Sequence, residues 1–140
     1  MKQKILFGFI AGFFATLMFH QITLAELWHL RFAPFAPFQM RPTWPFGVPA
    51  MLSLSFWGGI WGIIFVLIHR NFPGGGRYWL AAFLFGAIVP TLVALLIVVP
   101  LKGGAIGAGW QWRVWVTAFL VNGTWGAGTA LIYSFLPGKR

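Results

Sequence analysis

Four long runs almost free of charge constrain what this 140-residue chain can fold into. They cover residues 5–24, 50–68, 78–99 and 114–136. An apolar run of about 18 residues or more is long enough to cross a bilayer as a helix. With 59% hydrophobic and 8% charged residues, too few polar side chains exist to coat the core of a soluble domain. The fold class expected is an all-α integral membrane protein, one transmembrane domain over 1–140. Its helices are predicted at about 5–26, 50–69, 78–99 and 112–136, joined on one side by an outer loop at 28–49.

Lys2 and Lys4 before an apolar run, with Thr23-Leu24-Ala25 after it, also fit a cleavable leader. The run is long enough to span, so it is read as a retained first helix. An N-terminus in the cytoplasm puts Lys2, Lys4, Arg70, Arg77, Lys139 and Arg140 inside, and Arg31, Arg41, Lys102 and Arg113 outside. The excess of Lys and Arg inside predicts a multi-pass protein of the inner (plasma) membrane with both termini cytoplasmic. Trp28, Trp44, Trp79, Trp110 and Trp112 fall near the ends of the spans, where an aromatic belt forms.

An internal repeat organises the chain. Gly59-Ile60-Trp61-Gly62 runs on to Leu67-Ile68 and Pro73-Gly74, and Gly123-Thr124-Trp125-Gly126 runs on to Leu131-Ile132 and Pro137-Gly138 with the same spacing. Leu6-Phe7-Gly8 also resembles Leu84-Phe85-Gly86. Two tandem helical hairpins are therefore expected, related by an axis along the membrane normal, as in parallel repeats of some transporters. The outer loops differ. The first carries Pro34, Pro37, Pro42, Pro45 and Pro49 among Phe32, Phe35, Phe38, Trp44 and Phe46. Proline forbids a regular helix there, and the aromatics place it at the headgroup level. The second holds Gly103, Gly104, Gly107 and Gly109 and is expected to be short and flexible.

Helices in lipid associate through small residues and interhelical hydrogen bonds. Gly8, Gly12, Thr16, His20 and Thr23 form one stripe on the first helix. Gly58 and Gly62, beside Ser55, mark the second, and Asn122, Gly126, Ala130 and Tyr133 the fourth. These three stripes are expected to meet, with Phe9, Phe13, Phe14 and Phe65 facing lipid or neighbouring subunits. The third helix shows almost no small polar stripe, and Pro90 should kink it.

Chemistry-bearing residues are few. There is no Cys, which excludes disulfide exchange, thiolate metal sites and quinone-linked thiol oxidoreductases. There is no Asp, hence no Ser-His-Asp set, and Pro73-Gly-Gly-Gly76 lacks the Lys-Ser/Thr of a phosphate loop. Glu26 is the one acidic residue, flanked by His20 and His29. Carboxylates near apolar spans are costly and often functional. Glu26 and His29 have the Glu-x-x-His spacing of di-iron bundles, but one carboxylate cannot build that site. Two His and one Glu suffice in number for zinc, provided the helix ends near Glu26 and the chain turns back. A milder reading has Glu26 pairing with Arg31, Arg41 or Arg113, and His20 neutral and bonded to Asn122, Thr16 or Gln21. His20 and His69 fall toward opposite sides of the bilayer, against a haem held between them.

Function expected from these residues is a non-enzymatic accessory or scaffold subunit, or a homo-oligomer, with no catalytic residue, metal or cofactor assigned. A small ion or solute transporter or channel is the alternative, with Thr16, His20, Asn122 and Tyr133 forming a polar stripe that leads outward to Glu26. A metal- or haem-dependent membrane enzyme is the second alternative. The basic residues are scattered at span ends, which suits anionic lipid headgroups rather than nucleic acid.

Overall fold

The computed structural model describes residues 1–137; Gly138, Lys139 and Arg140, which enter the repeat and the charge count above, lie outside the described residues. Four helices make up most of it. α1 is Lys2–His29, α2 is Ala50–Ile68 with a 3₁₀ turn His69–Asn71 at its end, α3 is Gly76–Leu101, and α4 is Trp112–Phe135. α1, α2 with its terminal turn, and α3 are each long and apolar enough to cross a membrane. α4 is 24 residues long, but its Thr, Asn, Gly and Trp residues make it less apolar than the other three.

The helices lie side by side in the order α2, α1, α4, α3, each antiparallel to the next. The start of α1, the end of α4 and the α2–α3 turn therefore share one end, the terminal end. The two other connections share the opposite, loop end. α1 and α2 touch backbone to backbone: a Cβ on Gly12 would run into the Gly58 carbonyl and the Gly62 Cα, and one on Gly62 into the Gly8 carbonyl. α3 and α4 touch in the same manner through Ala82, Gly86 and Gly126. Between α1 and α4, Trp125 Nε1 donates to the Gly12 carbonyl at 3.0 Å, and the Thr23 and Thr124 hydroxyls meet at 2.9 Å. Small residues and satisfied polar groups hold the helices together, since apolar burial alone gives no net attraction in lipid.

Several expectations need correction. α1 does not stop near Glu26 but runs to His29, where Arg31 takes a left-handed conformation (φ 56°) and the Phe32 and Ala33 amides both donate to the Leu27 carbonyl. Phe65 does not face lipid. It is fully buried, with Phe72 and Phe85 edge-on to its ring at 5.7 and 5.8 Å. Phe9 is half-buried, its ring lying where a Gly59 side chain would otherwise stand. The three stripes do not meet at one place: those of α1 and α2 pack together, whereas Asn122 and Gly126 pack on α3. α3 does carry a stripe of its own, Ala82, Gly86, Pro90 and Thr91, all buried. The helix continues past Pro90 and widens to a π turn at Ala94–Val98.

The proline-rich connection is non-helical, as its prolines require, and closes with a two-residue antiparallel ladder, Pro42–Thr43 against Val48–Pro49. In the second connection Gly107, Ala108 and Gly109 adopt left-handed backbone angles, which glycine tolerates at little cost. Trp110 stacks on Trp115 at 5.4 Å, and Trp115 Nε1 donates to the Gly107 carbonyl at 2.9 Å, so this glycine-rich turn is packed.

The Gly12 contact gives a direct test. Gly12→Ala should destabilise the protein by about 1–3 kcal/mol through overpacking, despite the helix propensity gained. Gly74→Ala, whose added methyl meets open space, should shift stability by no more than about 0.5 kcal/mol. Thermal unfolding in mild detergent compares the two, and equal effects would show that the helices do not touch there.

Candidate functional site

His20 closes a π turn, Thr16–His20, inside α1. Residues spaced by four drift around an α-helix by about 40° per step. The wider turn rotates less per residue and takes back part of that drift, so Gly8, Gly12, Thr16 and His20 are all buried on one side. Thr16 Oγ1 returns its hydrogen bond to the Gly12 carbonyl at 3.0 Å. The His20 ring lies next to Gln21: Nδ1 and the Gln21 Nε2 are 3.2 Å apart. Gln21 is itself buried, and its Oε1 accepts the Phe38 amide N–H at 2.6 Å. Of the three partners expected for His20, the one found is Gln21. Through it the buried histidine is tied to the proline-rich connection.

Glu26 and His29 are exposed on the last turns of α1. Among the described residues, Glu26 forms no ion pair with Arg31, Arg41, Arg113 or any other cation. His20 and His29 are nine residues apart in one continuous helix, an axial rise of about 13 Å. The reversal that would bring them together comes only after His29, and among the described residues no three His, Asp or Glu side chains converge. Arg113 instead lies over the Phe32 and Trp112 rings, at 5.5 and 5.8 Å. Trp28, His29, Arg31 and Ala33 border an open cleft of about 490 Å³ at this end.

Asn122 and Tyr133 stand elsewhere. Asn122 Nδ2 donates to Thr91 Oγ1 at 2.9 Å, and Thr91 Oγ1 donates on to the Ala118 carbonyl at 3.3 Å, which links α4 to α3. Tyr133 is buried at the terminal end, its ring 5.3 Å from that of His69. His69 Nδ1 is 3.1 Å from the Tyr78 hydroxyl. Thr16, His20, Asn122 and Tyr133 thus do not form one continuous polar stripe. Thr16 and His20 share a side of α1, Asn122 faces α3, and Tyr133 belongs to a separate cluster.

Sequence reasoning missed Thr91, Trp125 and the His69–Tyr78–Tyr133 cluster. Thr91 follows Pro90, which drew attention to backbone geometry and away from the hydroxyl beside it. Trp125 was visible in the Gly-x-Trp-Gly motif, but its acceptor lies 113 residues away. Comparison with protein-family models, curated proteins and solved structures returns no match.

The Gln21 bridge makes a prediction. Gln21→Leu removes the acceptor of the part-buried Phe38 amide, a loss of about 0.5–1.5 kcal/mol. Hydrogen exchange of the peptide spanning 32–41 should speed up while α2 and α3 exchange as before. Unchanged protection of that segment would mean that Gln21 does not hold it.

Proposed function

We propose that this chain is a rigid four-helix protein of the inner membrane, both termini cytoplasmic, that acts as an accessory or scaffold subunit packed against copies of itself or a larger membrane protein. The Gly12 junction carries the reading. A bundle locked backbone to backbone across α1 and α2, and tied to α4 through Trp125, presents a fixed outer surface to its neighbours. α2 and α3 flank the row and keep large apolar side chains exposed, among them Phe56, Trp57 and Leu67 on α2 and Leu80, Leu84 and Ile88 on α3.

In this reading α4 is the fourth span. Ten of its residues are buried, Thr117 and Thr129 among them. A helix sheltered between α1 and α3 meets protein rather than lipid, so it tolerates polar side chains that an outer helix could not. Two tandem hairpins also belong to it. Phe9 covers Gly59 as Phe83 covers Gly123, and Gly12 meets Gly62 as Gly86 meets Gly126. The first-helix members recur after 74 residues and the second-helix members after 64. This register pairs Gly12 with Gly86, not Gly8 with Gly86. Anionic headgroups would meet the basic residues at the span ends, at about 1 kcal/mol per residue near the surface.

The test is the state of the protein extracted in polymer-bounded lipid discs without detergent. The scaffold reading predicts particles holding two or more chains, or this chain with a larger membrane protein. Single chains alone, at every expression level, would contradict it.

One observation favours a small transporter or channel as a second reading: the buried His20–Gln21 pair beneath the proline-rich connection. It predicts ion flux in proteoliposomes that is lost in His20→Ala and in Glu26→Gln, with the helical content of both variants unchanged. Flux that survives both substitutions would sink it.

A further inference from the structure

Where α2 turns into α3, the terminal end holds a cavity of about 260 Å³ lined by His69, Tyr78, Trp79, Ala130, Tyr133 and Ser134. Its polar groups converge from three helices. The His69 ring is fixed between neighbours, stacked on Phe65 at 5.9 Å and edge-on to Tyr133, with Nδ1 engaged by the Tyr78 hydroxyl. Among the described residues no hydrogen bond engages the Tyr133 or Ser134 hydroxyl, and neither is an orphaned buried atom. Both remain open to a ligand in the cavity.

Positive charge gathers near the cavity. Lys4 on α1 and Arg70 beside His69 both act electrostatically on the His69 ring. Arg77 precedes Tyr78 in the first turn of α3. Glu26, the one acidic side chain, lies at the other end of α1. Hydroxyl donors in a pocket whose described lining holds no acidic side chain, with cations near it, suit an oxyanion with several acceptor oxygens. The apolar surroundings narrow the source. Trp79, which lines the cavity, and Leu80 and Leu84 further along α3 are 42%, 58% and 44% exposed. A free phosphate has no use for such a strip, whereas a lipid does. Basic pockets between membrane helices are recognised headgroup sites.

We propose that this cavity binds the phosphate headgroup of an anionic phospholipid, with the acyl chains lying along the exposed strip of α3. The Tyr133 and Ser134 hydroxyls donate to phosphate oxygens, and Lys4 and Arg77 supply positive charge. This goes beyond the scaffold reading and does not depend on it, since a single chain holds the whole site.

Native mass spectrometry of the full chain, titrated with phosphatidylglycerol or with phosphatidylcholine of the same acyl chains, tests it. The expected result is one phosphatidylglycerol retained per chain, about tenfold tighter than phosphatidylcholine, and weakened about a hundredfold in Tyr133→Phe/Ser134→Ala, which loses two hydroxyl donors to a charged acceptor. If that variant unfolds early on heating, Lys4→Gln replaces it, with loss of the preference for phosphatidylglycerol expected. Equal retention of the two lipids overturns the proposal. So does phosphatidylglycerol retention unchanged in the variants. Inorganic phosphate that stabilises the protein against heat where phosphatidylglycerol does not would also overturn it, because the source would then be soluble.

Discussion

Gly12 is the point on which the bundle depends. Its missing side chain lets α2 approach until Gly58 and Gly62 lie against it, and its carbonyl accepts both the Thr16 hydroxyl and the Trp125 indole N–H. Three helices therefore meet at one residue. In water such a contact would be one among many apolar contacts. In lipid the hydrophobic term between helices vanishes, and close approach plus satisfied polar groups is what remains. A methyl group at this position separates α1 from α2, and with it goes the geometry that lets Trp125 reach its acceptor.

The same constraint explains how the polar side chains are used. A hydroxyl surrounded by apolar groups must find a partner nearby, and the nearest is a carbonyl of its own helix. Thr16, Ser55 and Thr129 each donate to the carbonyl four residues back. Others join helices: Asn122 to Thr91, Thr23 to Thr124. Thr117, buried in α4, is the exception, with no partner for its hydroxyl among the described residues. The His20–Gln21–Phe38 chain applies the rule at the loop end, where it fastens an irregular segment to a helix. Polar groups in this protein are spent mainly on architecture, and the terminal cavity is where donors remain open.

The membrane-crossing stretches were legible in the sequence because charge-free length is a strong signal. α2 begins at Ala50, where the reading put it. The end of α1 at His29, beyond the expected end near residue 26, is not legible because exposed polar side chains such as Glu26 and His29 sit equally well on a helix that continues one turn further. Phe65 was misassigned for a different reason. On a membrane helix both the lipid face and the core are apolar, so a phenylalanine carries no mark of which way it points. The Ala82–Gly86–Thr91 stripe of α3 was hidden by Pro90, which invited an argument about kinks. At the candidate site, the His20–Gln21 pair could be read because its members are adjacent. The links from Trp125 to Gly12 and from Asn122 to Thr91 span 113 and 31 residues and needed the fold.

α4 is embedded against α1, so that the less apolar helix is sheltered by the apolar ones. The chain has no native cysteine, which makes the contact directly measurable in membranes. With Thr23→Cys and Thr124→Cys together, two thiols replace hydroxyls 2.9 Å apart, within reach of disulfide geometry, where Cβ atoms stand about 3.5–4.5 Å apart. Oxidation with a membrane-permeant copper catalyst should cross-link this pair rapidly within one chain, while Thr23→Cys paired with Thr91→Cys stays reduced. Failure of the first pair to cross-link, or equal cross-linking of both, would contradict the account.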